Sequence, residues 1–309
     1  MGIKLLNTFL KSNRCDGICE KHLSEFYGKK ICIDISIYMY RYKSEQQLIE
    51  KIYLLCILLK YYRIKGLFVF DGKPPKEKNE TIQERKRVKQ DAENKIRYLE
   101  QKIEAGEIDY KNYEEEIKVL KKKSVKLTIM EIDEIKNLIV SMGMTIMDAK
   151  GEADALCAEL MLKKKVDCCL SEDTDMFVYP CNYIMRYLSL SNHKIIFYDV
   201  KKILKSLDLT KKEFVEICLL SGNDYYSGNK NIFHYYKLIK KYRKTELDLS
   251  FKDWIIYKNF VGISQIEEME KNKLMYSVKN NQLKLEWNNL FDNNKTREIL
   301  ERDNFLFAN

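Results

Sequence analysis

Apolar residues gather in five short runs: KICIDIS (30–36), GLFVFD (66–71), MTIMD (144–148), VDCCLS (166–171) and YIMRYLS (183–189). Their Ile, Val, Phe and Cys content predicts strands. Most are separated by segments of helical length, such as 45–62, 131–142 and 152–165. Strands that alternate with helices predict an α/β fold with a mainly parallel, twisted sheet flanked by helices. Apolar character is nearly continuous within each run, which predicts a sheet covered on both faces.

Residues 76–126 break this rhythm. They form two charged, helix-favouring stretches with a break at Ala105-Gly106. Apolar positions are too sparse for a core-facing helix, so a projecting hairpin is expected. Beyond residue 200 the pattern is helical, and residues 201–244 carry eleven Lys and Arg against four acids. The chain therefore divides into 1–75, the inserted hairpin 76–126, a second α/β stretch 127–225 and a helical part 226–309.

Charge narrows the partners. The 309 residues carry 55 Lys and Arg against 46 Asp and Glu, a formal net charge of +9. That sign favours polyanions. The longest apolar stretch, IYLLCILLKYY, is too short for a membrane span and ends in charge. The N-terminus MGIKLLNTFLKSN lacks the apolar core and cleavage site of a signal peptide. Nine cysteines are scattered with no CxxC pair, as expected for reduced thiols in an intracellular protein. Cys15, Cys19 and His22 lack the fourth ligand of a closed zinc site.

The candidate chemistry lies where the strands end. Asp34, Asp71, Asp148, Asp173 and Asp175 sit at or just past strand C-termini, and Glu152 and Asp154 follow in GEADALCAEL. In open parallel sheets ligands bind beyond those ends, so these acids are expected to converge. Carboxylates crowded together repel unless cations compensate, and hard divalent cations, Mg²⁺ or Mn²⁺, match an all-oxygen set. Each acid taken singly also fits a turn or N-cap role. In SEDTD, alternation predicts that Glu172 faces away from Asp173 and Asp175.

These segments, in this order, resemble the flap endonuclease family (XPG-type structure-specific 5′ nucleases). The likeness runs through MGIKLL, ICIDISIYMY, FVFDGKPPKEK, GEADALCAEL, SEDTDMFVY and CLLSGNDYYSG, roughly residues 1–228, and returns faintly in LKLEW. The resemblance implies a PIN-like 5′ nuclease fold. It implies seven metal-binding acids, Asp34, Asp71, Glu152, Asp154, Asp173, Asp175 and Asp224, holding two Mg²⁺ ions for which Mn²⁺ substitutes. Lys78 and Arg85 match the catalytic basic pair at the base of the family's arch. Gly2 matches the N-terminal residue near the site, and Tyr40 an aromatic that stacks a base. Residues 76–126 then become a basic helical arch between two nuclease regions, and 226–309 the part that contacts duplex DNA.

The implied activity is Mg²⁺-dependent cutting of 5′ flaps near the single-strand/duplex junction, in DNA replication, repair or recombination. 5′-3′ exonuclease, junction resolvase and an idle DNA-binding scaffold are the alternatives. Two departures stand out. After the residue that matches the last active-site acid, Asp224, the stretch DYYSGNKNIFHYYKLIKKYRK stands where the family has a Gly-rich hairpin, so the family's K⁺ site is expected to be absent or altered. Lys230, Lys237, Lys240, Lys241, Arg243 and Lys244 are expected to contact phosphates instead. The chain also ends at FLFAN without a clamp-binding Gln-x-x-aromatic box, so sliding-clamp binding in the usual way is not expected. Branched DNA is the expected partner, of a monomer not bound to membrane. So compact a form suits a large DNA virus or a reduced genome, acting in a nucleus or at a cytoplasmic replication site.

Overall fold

Residues 2–278, 283–303 and 305 are described by the computed structural model. Seven strands build one sheet: β1 (Ile18–His22), β2 (Lys30–Asp34), β3 (Lys65–Phe70), β4 (Thr145–Asp148), β5 (Cys168–Leu170), β6 (Tyr183–Ser189) and β7 (Lys194–Asp199). Their spatial order is β1-β7-β6-β5-β2-β3-β4. The five expected strands are β2 to β6, all paired in parallel. The apolar pattern did not reveal the antiparallel edge formed by β7 and β1. No β1 residue is fully buried and the strand pairs on one side only, so its apolar content is low.

Side-chain alternation divides the core. Cys32, Leu67, Val69, Cys169 and Ile184 point to one face, where they meet Phe9, Cys157, Leu160 and Phe214. Ile31, Ile33, Phe68, Phe70, Leu170 and Met185 point to the other, against Ile52, Leu55, Leu59, Ile135 and Leu138. Both faces are buried, so both phases of each strand are apolar. Helices Ile129–Ser141 and Lys211–Ser221 start with reciprocal capping boxes, Thr128 with Glu131 and Thr210 with Glu213. From β2 the chain steps outward to β3 and β4, then crosses to β5 on the other side of β2. The switch between β2 and β5 opens a crevice at the strand C-termini.

The inserted segment forms helices Asn79–Glu104 and Tyr110–Ser124. They pack on each other through Ala92, Ile96, Leu99, Ile117 and Leu120, a small core separate from the other two. Five apolar residues suffice because each helix buries one narrow stripe. Residues 283–303 return to the sheet edge and end in helix Asn293–Arg302, whose Ile299 and Leu300 share a core with Ile135 and Leu138. At the edge, Asn288 N–H donates to Thr145 Oγ1 at 2.9 Å and Asp292 N–H to the Ser141 carbonyl at 2.8 Å. Leu306–Asn309, most of the FLFAN end, lies outside the described residues. Among the described residues no helix is long and apolar enough to cross a membrane.

Lys211 offers a test of the packing. Its ammonium donates to the Phe177 and Tyr179 carbonyls at 2.6 and 2.8 Å, and burial pushes its pKa down from 10.5 to about 8. A cation whose folded pKa is depressed costs stability below that pKa. The cost disappears as pH rises from about 8 towards 10.5, where only the unfolded chain stays protonated. Relative to Lys211→Met, the wild type is expected to gain on the order of 3 kcal/mol across that window. Urea unfolding of both proteins at pH 7 to 10 checks this; a pH-independent difference would refute it.

Candidate active site

Each acid is placed by the local structure around it. Asp34 ends β2; its Oδ2 accepts from Ser171 Oγ at 2.9 Å and its Oδ1 from Ser36 N–H at 3.3 Å. Asp71 follows β3, accepting from Ser36 Oγ at 2.5 Å and from Ala153 N–H at 2.8 Å. Asp71 thereby caps helix Ala153–Leu162, whose N-cap is Glu152 and whose first turn carries Asp154. Asp173 caps the short 3-10 turn Thr174–Phe177 through the Asp175 N–H, at 3.0 Å. Asp224 follows the turn at Gly222, where φ is +106°.

Asp173, Asp175 and Asp224 each offer a carboxylate oxygen, all within 4.8 Å of one another. Asp34, Asp71, Glu152, Asp154 and Asp173 line a cavity of about 790 Å³ together with Lys78, Arg85 and Lys89 from the helical hairpin. The hairpin base closes on the acids directly. Lys78 pairs with Glu152 and lies 3.4 Å from Asp224 Oδ2, and Arg85 donates to that same oxygen at 2.5 Å.

Burial and mutual repulsion strain the charges. Burial, then Asp71, pushes Asp34 up to about 7. Burial, then Glu152 and Asp175, holds Asp154 well above the usual carboxylate range, and burial with Asp173 and Asp224 does so for Asp175. Asp173 is raised mainly by burial. Asp224 is the exception: burial would raise it, but Arg85 and Lys78 together hold it below its ordinary value. The same pairing raises Lys78, where burial is outweighed by Glu152 and Asp224.

These residues fit a hard divalent cation. The cluster is built of carboxylates alone, and Asp175 Oδ1 is buried with no hydrogen-bond partner. An orphaned buried carboxylate oxygen of this kind calls for a cation.

Other expected residues are placed as follows. Gly2 N–H donates to Asp224 Oδ1 at 3.2 Å. Its φ is +82°, and a Cβ there would collide with Asp173 Oδ1 and Thr174 Oγ1, so a side chain is excluded. Tyr40 is half-exposed on the cavity wall with Lys89 Nζ 4.6 Å from its ring centre. Glu172 faces away: its Oε1 accepts from Tyr38 OH at 2.9 Å and Tyr187 N–H at 2.8 Å. Lys230, Lys237, Lys240, Lys241 and Lys244 are exposed on and around helix Ile232–Tyr242. Arg243, also exposed, is engaged by Asp208 and by Glu213, the latter at 3.0 Å.

One expectation is corrected. Asp148 does not join the other acids. It turns outward at the end of the edge strand β4 and pairs with Lys136 at 2.6 Å. Sequence reasoning missed Ser36 and Ser171, which hold the carboxylates, and two tyrosines. Tyr225 donates to Glu152 Oε2, and its place beside Asp224 was an available signal. Tyr276 donates to Asp175 Oδ2 from 101 residues away, and nothing in the sequence marks it.

Comparison with known proteins agrees with this geometry. The XPG N-terminal domain matches residues 1–92 and the XPG I-region residues 143–224. Flap endonuclease 1-A of Sorghum bicolor is 31% identical over 251 residues, 75% of this chain and 64% of the relative. Flap endonuclease 1 of Meyerozyma guilliermondii is 32% identical over 263 residues, 78% of this chain and 68% of the relative. The chain thus spans just under two thirds of the sorghum protein's length. The catalytic core of Rad2 in complex with DNA substrate shares the fold, with a TM-score of 0.68 at 21% identity, covering 98% of this chain and 94% of that one. With the acids of both matched domains gathered in one crevice, the chain belongs to the XPG-type flap endonuclease family.

Proposed function

We propose that the protein is a structure-specific DNA nuclease that hydrolyses a phosphodiester of a 5′ flap near its junction with duplex. The reading is carried by one observation: the basic base of the helical hairpin, Lys78 and Arg85, sits directly on the part-buried carboxylates Glu152 and Asp224 at the cavity. Asp34, Asp71, Glu152, Asp154, Asp173, Asp175 and Asp224 would hold two Mg²⁺ ions, or Mn²⁺ in their place. When bound, such a pair supplies an activated water and stabilises the departing oxygen.

The chain's own residues do the rest. Asp34, Asp154 and Asp175 are buried, while Asp71, Glu152 and Asp173 open onto the cavity. Lys78 and Arg85 now spend their charge on Glu152 and Asp224. Cations held by those acids would leave the two side chains free to face the scissile phosphate, whose developing charge they would offset. Tyr40 offers a ring face for the base beside the cut, and the exposed lysines from Lys230 to Lys244 would hold duplex phosphates. The gap between the two hairpin helices and the sheet is where a single-stranded 5′ end would pass.

The test uses 5′-labelled double-flap DNA, plain duplex, nicked duplex and a four-way junction, each with Mg²⁺, with EDTA and with Asp173→Asn protein. Mg²⁺-dependent release of the intact flap, lost in the variant, is expected. Mononucleotide release would assign a 5′-3′ exonuclease and paired cuts of the junction a resolvase. Binding without cleavage throughout would leave a scaffold. A nuclear or viral cytoplasmic replication site follows as the working location.

A further inference from the structure

Two tyrosines outside the cavity lining donate their hydroxyls to the carboxylates, Tyr225 to Glu152 and Tyr276 to Asp175, and Tyr276 has the more consequential place. It follows helix Ile263–Met275 as its C-cap and is 6% exposed. Its hydroxyl donates to Asp175 Oδ2 at 3.0 Å. The ring is fixed by edge-to-face packing on Tyr179 and Tyr225, at centroid distances of 5.1 and 5.8 Å. On the same carboxylate, Oδ1 is buried and has no partner, and Asp175 as a whole is 2% exposed. A carboxylate free to rotate could present either oxygen or chelate with both. With Oδ2 tied to a packed hydroxyl, that freedom is gone.

We infer that Tyr276 is a positioning residue that holds Asp175 Oδ2 so that Oδ1 faces the cation shared with Asp173 and Asp224. The inference rests on the cation-site reading above. Tyr276 does not line the cavity and acts through Asp175, as outer partners of metal ligands do. It also ties the helical C-terminal part to the site across 101 residues.

The measurement is Mn²⁺ affinity of the full chain without DNA, read from the EPR signal of free Mn²⁺. Tyr276→Phe removes one oxygen and keeps both ring contacts. Its Mn²⁺ affinity is expected to fall roughly 10- to 100-fold. Affinity within about twofold of wild type would overturn the inference, even with a lowered unfolding midpoint in EDTA, since that pattern marks a merely structural role. Should Tyr276→Phe fail to fold, Tyr276→Met, flexible and without a donor, is read by the same criterion. Cleavage is not the readout, so the two readings fail separately. Normal Mn²⁺ binding by the variant defeats this inference whether or not the wild type cuts DNA, and lost affinity supports it in either case.

Discussion

Asp173→Asn and Asp175→Asn are each expected to lower flap cleavage by ~10³-fold or more, while Glu172→Gln stays within about threefold of wild type. All three replace a carboxylate by an amide of the same shape in one five-residue stretch. What differs is where the side chain points. Asp173 and Asp175 share the cluster with Asp224, and losing a ligand there removes several kcal/mol of transition-state stabilisation. Glu172 Oε1 instead accepts from Tyr38 and the Tyr187 N–H, and a Gln oxygen can accept both. Its remaining ion pair, 3.7 Å to a partly exposed Arg41, is worth less than about 1 kcal/mol.

The same variants carry a second expectation with the opposite sign. Without metal, Asp175 is a buried acid pressed by burial and by Asp173 and Asp224. Asp175→Asn relieves that pressure, so its unfolding midpoint in EDTA at pH 7 is expected to exceed that of wild type, and Mg²⁺ to raise it less. A site that trades stability for function behaves this way. Flap cleavage together with thermal unfolding in EDTA and Mg²⁺ reads both effects. Loss of activity in Glu172→Gln equal to that in Asp173→Asn would defeat the facing argument.

Lys78→Ala and Arg85→Ala are expected to lower the single-turnover cleavage rate ~10²- to 10³-fold, the range for removing one preorganised donor to developing charge. Flap DNA binding should change much less, because Lys230, Lys237, Lys240, Lys241 and Lys244 stay exposed and available to phosphates. The two should part in stability. Lys78 is buried and compensates both Glu152 and Asp224, so its loss leaves two part-buried acids without that partner and lowers the midpoint in EDTA. Mg²⁺ should restore most of it. Arg85 is half-exposed, and its replacement should cost little in either condition. Equal thermal behaviour of the two variants, or a Lys78→Ala midpoint insensitive to Mg²⁺, would mean that the lysine does not stand in for cation charge.

Much of this architecture is written locally. Strands buried on both faces must be apolar in both phases, so β2 to β6 were visible as short apolar runs. The acids at their ends could be read because an open parallel sheet directs ligands to one edge. The hairpin of residues 79–124 was visible because a helix that buries a single narrow stripe must be charged elsewhere. Glu172 was separable from its neighbours by the period of two in an extended chain.

Other features had no local sign. Edge strand β1 carries Glu20, Lys21 and His22 in a row, a pattern it shares with loops, because it pairs on one side only and meets water on the other. Asp148 has the same strand-end position as Asp34 and Asp71, but it sits on the edge strand with Lys136 in reach, and only the sheet order decides this. Arg243 looks like its lysine neighbours until the fold brings Asp208 and Glu213 beside it. The hydroxyl of Tyr276 finds Asp175 across 101 residues. Periodicity in a sequence reports whether a side chain is buried, and only folding decides which distant partner it meets there.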